Sequence, residues 1–258
     1  MTLSPEQRRE MDRHYHDVIG AEYDKVILDP RRTASDLLFA SIVQCLPTRG
    51  RMLDIGCGTG QAVYRFAAPP ARFEAITAID HSCSMLESAR RNIAPAGVNG
   101  VDFRQADVIE WLKKGGGSRF DLITAIGFLH HLDDDQVREV VALMATRLAR
   151  DGKIVIADPV DPEARSAPEI IQRWNQRSLA LKNTYTNEPE EPDERPLPRA
   201  LINEAFQAAG LKVIKHASSW EIFNHSESPG LLERLRIRHL YLRGGPGIVN
   251  AWLLGPEP

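Results

Sequence analysis

The stretch Met52-Leu53-Asp54-Ile55 runs directly into Gly56-Cys57-Gly58-Thr59-Gly60, which places three glycines at alternate positions. A short, mostly apolar run of this kind reads as a strand buried on both faces. The glycines read as a tight loop that a ligand can approach without meeting any Cβ atom. Such a loop turns its backbone N–H groups toward a ligand at the mouth of the next helix, here expected over residues 61–67. The arrangement suits a nucleotide-type ligand. The dinucleotide-binding fingerprint needs its third glycine one position later, where this chain has Gln61, so the spacing is G-x-G-x-G.

Strand and helix patterns alternate around this loop. Before it, Leu37, Leu38, Ile42 and Leu46 give a helical spacing over residues 34–46 that ends at Pro47. After it, residues 74–80 read as a second buried strand. Ser84 with Glu87 three residues on predicts a capping box for a helix reaching Ile93. A third strand is expected over 101–106, a helix over 108–113, a flexible run at Gly115-Gly116-Gly117-Ser118 and a fourth strand over 120–127. Asp133, Asp134 and Asp135 favour a helix N-terminus, and Val137, Val140, Val141, Met144 and Leu148 mark that helix's inner face. Arg147, Arg150 and an Asp151-Gly152 turn close it before a fifth strand over 153–158. Five strands alternating with helices predict a doubly wound α/β sheet, mainly parallel, with ligands beyond the C-terminal strand ends.

Composition narrows the classes. Hydrophobic residues at 43% and charged residues at 26% allow a sizeable core, and 258 residues suit one α/β domain with an insertion. A net charge of -3 offers no global attraction to nucleic acid. The three cysteines, Cys45, Cys57 and Cys83, make no even set and no C-x-x-C spacing, which points to a reducing compartment and away from zinc. Neither a secretory signal nor a window of membrane-spanning length is visible, so a soluble cytoplasmic protein is expected.

The acidic residue, hydrophobic residue and G-x-G-x-G of Asp54 to Gly60 resemble the first motif of class I S-adenosylmethionine-dependent methyltransferases. The resemblance implies that Asp54 and the loop with Gly56, Gly58 and Gly60 hold the amino-acid end of that cofactor. It also implies a Rossmann-like, seven-stranded sheet with helices on both faces, with strands over 211–216 and 248–254 as the last two, one running antiparallel to the rest. At the end of the second strand, 20 residues beyond Gly60, Asp80 is placed to accept from both ribose hydroxyls; the alternative is a helix N-cap. Gln105-Ala106-Asp107-Val108 resembles the family's adenine motif, which implies a carboxylate acceptor at Asp107 and a backbone donor at Val108. Capping by Asp107 is the alternative. Ile126 and Gly127 should line the cofactor's other side.

Phe128-Leu129-His130-His131-Leu132 resembles the L-H-H-L segment of small-molecule methyltransferases of the ubiquinone-biosynthesis type. His130 and His131 are therefore candidates for acceptor contact or general base, or for hydrogen bonds within their loop. Tyr15 and Tyr23 lie in segments similar to that group's aromatic lid, though packing of an N-terminal helix would explain them equally. The tetrapeptide of base-amino methyltransferases and a carbon-5 catalytic cysteine are absent, which favours a small-molecule methyl acceptor. No metal is required by a positioning mechanism. The expected organisation is an N-terminal lid over 1–47, a cofactor-binding core over 48–160, an inserted cap over 161–200 with a helix at 169–182 and an acidic loop at 187–195, and a C-terminal completion of the sheet over 201–258. The basic and apolar segment 231–243 reads as an amphipathic element packed on the core, or as a contact for a phosphorylated or lipid-borne acceptor. An NAD(P)-dependent oxidoreductase and a non-catalytic binding module are the competing classes.

Overall fold

The apolar runs of the sequence lie side by side as one sheet in a computed structural model that describes residues 4–28, 32–114, 117–161, 167–186, 196–220, 235 and 247–257. The strands are β1 (Arg49–Ile55), β2 (Arg72–Asp80), β3 (Val101–Gln105), β4 (Phe120–Ile126), β5 (Leu148–Pro159), β6 (Leu211–Ser219) and β7 (Val249–Pro256). Their spatial order is β3-β2-β1-β4-β5-β7-β6. The pairs among β1 to β5 are parallel, and β7 runs antiparallel to both of its neighbours. The expected doubly wound, mainly parallel seven-stranded sheet is thus observed, with its single reversed strand.

Helices α1 (Pro5–Ile19), α2 (Arg32–Val43), α3 (Gln61–Ala67), α4 (Cys83–Ile93), α5 (Val108–Lys114), α6 (Asp134–Thr146), α7 (Ala167–Lys182) and α8 (Arg199–Ala208), with a π-helical turn at Asp24–Leu28 and 3-10 turns at Ala94–Ala96 and Leu129–His131, complete the described elements. The period of two along each central strand sends alternate side chains to opposite faces. Leu53, Ile55, Ile123 and Ile156 pack with Val137, Val140 and Met144 of α6 and with Ile202 and Phe206 of α8. Met52, Leu122 and Val155 face the other way, onto Ile42 of α2, Val63 and Phe66 of α3 and Leu86 of α4. Each fully buried aliphatic chain contributes roughly 1.5–3 kcal/mol, so both faces hold the strand ends rigidly in place. A smaller cluster of Tyr15, Ile19, Ile27 and Met85 seats α1 on α4.

Two expectations need correction. The cap of α4 is Ser82, whose hydroxyl accepts from the Met85 N–H at 3.2 Å, rather than Ser84 with Glu87. Ser82 is held in extended backbone by the end of β2, so the helix starts there. Helix α6 stops at Thr146, and Leu148, expected on its inner face, opens β5 opposite Phe120. The Phe120 N–H donates to the Arg147 carbonyl at 2.9 Å, which draws the chain into the sheet one turn early, and a register shift absorbs Asp151-Gly152. At the other end of α6 the capping box is Asp133 with Gln136. The acidic run 187–195, Gly115-Gly116 and the basic segment 231–243, apart from Leu235, lie outside the described residues. Among the described residues no helix is long and apolar enough to cross a membrane.

Loss of a helix cap costs about 1 kcal/mol. Chemical denaturation should therefore show Ser82→Ala destabilised by about that amount or more, and Ser84→Ala by less than about 0.5 kcal/mol. The reverse order would restore the cap expected from the sequence.

Candidate functional site

The chain reverses direction across the sheet between β1 and β4, and the loops leaving the strands diverge there into a crevice of about 1090 Å³, part of it open to solvent. The glycine loop forms one wall. Gly56 has φ +60°, and a Cβ on it would stand 2.4 Å from the Phe128 ring, so only glycine fits. Around Gly58, at φ +50°, nothing lies within 4 Å of the Cβ position, and the residue lines the crevice. Gly60 does not line it. It opens α3 in a left-handed conformation and lets α3 approach α4, where a Cβ would meet Ala89 at 3.2 Å.

Three carboxylates mark the C-terminal ends of β1, β2 and β3. Asp54 is buried in β1; its Oδ1 accepts from the Thr124 hydroxyl at 2.6 Å, while its Oδ2 is buried with no hydrogen-bond partner. Burial pushes its pKa up to about 7, against the Thr124 hydrogen bond and with help from the charge of Asp80. Asp80 accepts from the Gly58 N–H at 2.8 Å through Oδ2 and from the Ser82 N–H at 2.9 Å through Oδ1. Asp107 is exposed at the crevice rim and caps α5, accepting from the Glu110 N–H at 2.9 Å. Val108, Ile126 and Gly127 also line the crevice, as the sequence reading expected.

The two adjacent histidines separate. His131 lines the crevice, whereas His130 is buried beneath it with Nδ1 at 2.7 Å from Asp158 Oδ1. Asp158, near the end of β5, also accepts from the Leu129 and His130 backbone N–H groups, so it clamps the short helical turn that carries His131. The tyrosines separate as well. Tyr23 lines the crevice; Tyr15 is buried between α1 and α4, with the Lys182 ammonium 4.9 Å from its ring centroid.

Sequence reasoning missed Asp12, His16 and His81, all of which line the same crevice. Asp12 and His16 stand four apart and so share one face of α1. That i, i+4 spacing is the local signal in the sequence for the pair. Asp12 Oδ1 lies 3.0 Å from His131 Nδ1 and 3.3 Å from His16 Nδ1, and Oδ2 lies 3.5 Å from His81 Nε2. Burial works to raise Asp12, but the His131 and His16 imidazoles prevail and hold it well below the usual carboxylate range. Burial also opposes the charge on His16, yet Asp12 raises its pKa; for the more open His81, burial outweighs Asp12 and the pKa falls.

Comparison with known proteins agrees with this geometry. Residues 48–224 match a family described as a methyltransferase domain. The chain is 32% identical over 214 residues, 78% of its own length and 76% of the relative's, to the dTDP-4-amino-2,3,4,6-tetradeoxy-D-glucose N,N-dimethyltransferase of Saccharopolyspora spinosa. It is 28% identical to the indolepyruvate C-methyltransferase of Streptomyces griseus over 66% of its length, and spans only half of that relative. Among solved structures, that of DhpI in complex with SAM and HEP superposes with a TM-score of 0.63, at 19% identity, over 99% of this chain and 100% of the other.

The raised Asp54 carboxyl has a consequence for stability. Between its unfolded value near 3.8 and its folded value of about 7 the folded chain binds the extra proton, so stability falls as pH rises through that window. Above the window the cost is about 4 kcal/mol. Asp54→Asn, which keeps an acceptor for Thr124, should abolish that part of the pH dependence and raise the melting temperature of the ligand-free protein at pH 8. Identical thermal profiles for the two proteins across this range would show that Asp54 ionises at no cost.

Proposed function

The chain belongs to the methyltransferase-domain family, and from that premise we propose that it transfers a methyl group from S-adenosylmethionine to a small organic acceptor. The observation that carries the reading is the succession of Asp54, Asp80 and Asp107 at the ends of consecutive strands around a glycine loop that offers open space at Gly58. Each end of the cofactor finds a matching group. The buried Asp54 Oδ2 suits the ammonium of the amino-acid tail, whose charge would favour the ionised carboxylate. Each oxygen of Asp80 accepts one backbone N–H, and with two lone pairs apiece they retain capacity for the ribose hydroxyls. Asp107 caps α5 and has the same spare capacity for the adenine amine, with the first-turn N–H of Val108 directed to the ring. Gly56 and Gly60 keep the loop's shape, and Ile126 and Gly127 cover the opposite side.

Methyl transfer from a sulfonium is an in-line displacement in which the positive charge is lost, so alignment of donor and acceptor and exclusion of water supply most of the rate. Of the two histidines, His131 reaches the crevice, and it is the one we assign to the acceptor, or to its proton where the acceptor is a hydroxyl or an acidic carbon. His130 acts through its bond to Asp158 as a positioning residue. Tyr23 contributes to the lid, and Tyr15 holds α1 in place. Two relatives carry the names of enzymes acting on small molecules, which supports a small acceptor. A net charge of -3 supports the same choice over nucleic acid, and the free cysteines suit a reducing compartment such as the cytoplasm. The functional division remains a lid over 1–47, a cofactor core over 48–160, a cap over 161–200 and a completing segment over 201–258.

Calorimetric titration with S-adenosylhomocysteine and, separately, NAD tests the reading. Saturable binding of the first and none of the second is expected. Charge-assisted hydrogen bonds contribute about 1.5–3 kcal/mol each, so Asp80→Ala should weaken that binding by roughly one to two powers of ten. Silence toward S-adenosylhomocysteine at millimolar concentration, or preference for NAD, would overturn the assignment.

A further inference from the structure

We infer that Asp12, His16 and His131, with His81 beside them, form a binding site for a divalent first-row metal ion at the acceptor end of the crevice. The donor set is two imidazoles and a carboxylate, with a third imidazole adjacent, drawn from α1, the turn after β4 and the loop after β2. One ligand-type atom from each of Asp12, His16 and His131 lies within 4.8 Å of the others. Donors about 2.0–2.2 Å from a common ion stand roughly 3.0–3.5 Å apart. The separations of Asp12 from the three imidazoles, 3.0, 3.3 and 3.5 Å, fall in that range.

Burial supplies an independent indication. Asp12 is only 6% exposed, and its Oδ1, directed between the His16 and His131 rings, accepts no aligned hydrogen bond. A buried carboxylate facing two imidazole nitrogens brings together three donors on which a cation can take the place of the imidazole protons. The helical spacing serves the same end, because Asp12 and His16, four apart, present two ligands from one rigid face. His16 Nδ1 also lies 2.8 Å from the Asp12 carbonyl, a contact that coordination through that nitrogen would exchange for the metal.

Mixed imidazole and carboxylate donors select zinc, iron(II) or a similar ion over calcium or magnesium, which prefer all-oxygen shells. Such a facial set leaves coordination positions facing the crevice, where an acceptor bearing an oxygen donor, a hydroxyl, enolate or carboxylate, can bind. That use of the metal rests on the methyl-transfer reading; occupancy of the site does not.

The test uses the full chain, stripped with a chelator and titrated with Co²⁺ under visible absorbance. One equivalent should produce a saturable ligand-field spectrum that Zn²⁺ displaces and Mg²⁺ does not. Asp12→Asn, His16→Ala and His131→Gln should each weaken Co²⁺ binding by at least tenfold, while His14→Ala, an exposed change on the same helix, should leave it unaltered. Three separate ligand variants, each checked by circular dichroism, keep the outcome decidable if one fails to fold. Titration of the same samples with S-adenosylhomocysteine reads the cofactor end separately. Ligand variants that keep cofactor binding and lose Co²⁺ binding support the site, and a parent chain that binds Co²⁺ but not S-adenosylhomocysteine also supports it while refuting the methyl-transfer reading. A featureless Co²⁺ titration, or folded ligand variants that bind Co²⁺ like the parent, would overturn it and leave these residues as an acid–base cluster.

Discussion

Asp80 ties three segments of chain together at the mouth of the sheet. Its Oδ2 accepts from the Gly58 N–H in the loop after β1, its Oδ1 from the Ser82 N–H at the cap of α4, and its backbone carbonyl from the Ala106 N–H after β3. One residue therefore sets the spacing of three consecutive loops. Each donor left unsatisfied in a buried setting would cost about 1–3 kcal/mol, so this knot strongly constrains the crevice. Ser82 carries the connection further, because its hydroxyl donates to Asp17 on α1 at 2.6 Å while accepting from Met85.

Helix α1 depends on that link for its place as a wall of the site. One side of it, Tyr15 and Ile19, packs with Met85 and Ile27. Its polar face carries Asp12 and His16 into the crevice. Further along, the Gly20 carbonyl accepts from Ser88 at 2.7 Å, and Asp24 accepts from Thr59 and Asn92. These bonds join the N-terminal segment to the glycine loop and to α4. The segment is thus part of the crevice's framework, and the positions of Asp12 and His16 follow from the same packing that holds the glycine loop.

Periodicity made the sheet legible because it reports burial directly. The alternation of Leu53 and Ile55 with Met52 is the same two-faced packing seen in the fold. The glycine loop and the carboxylates at the ends of β1 to β3 were legible because each strand end is marked by a local pattern. What a local pattern cannot carry is direction. His130 and His131 are equivalent in the sequence, and only Asp158, 28 residues away, draws one of them under the turn and leaves the other facing the crevice. Tyr15 and Tyr23 part for the same reason: α4 and Lys182 of α7 supply the partners of the first. Asp12, His16 and His81 come from two segments, and their meeting required the tertiary structure.

The crevice treats its aspartates in opposite ways, and the difference orients what it can bind. At the glycine-loop end Asp54 is pushed up to about 7 by burial with Asp80 nearby, so an added positive charge would favour its ionised form. At the other end Asp12 is as deeply buried, yet the imidazoles of His131 and His16 hold it ionised. Asp54 draws on no cationic side chain, whereas Asp12 already faces imidazoles, whose protons compete with a metal ion for the same ring nitrogens. An ammonium group therefore gains more against Asp54 than against Asp12. The asymmetry arises from which side chains surround each carboxylate.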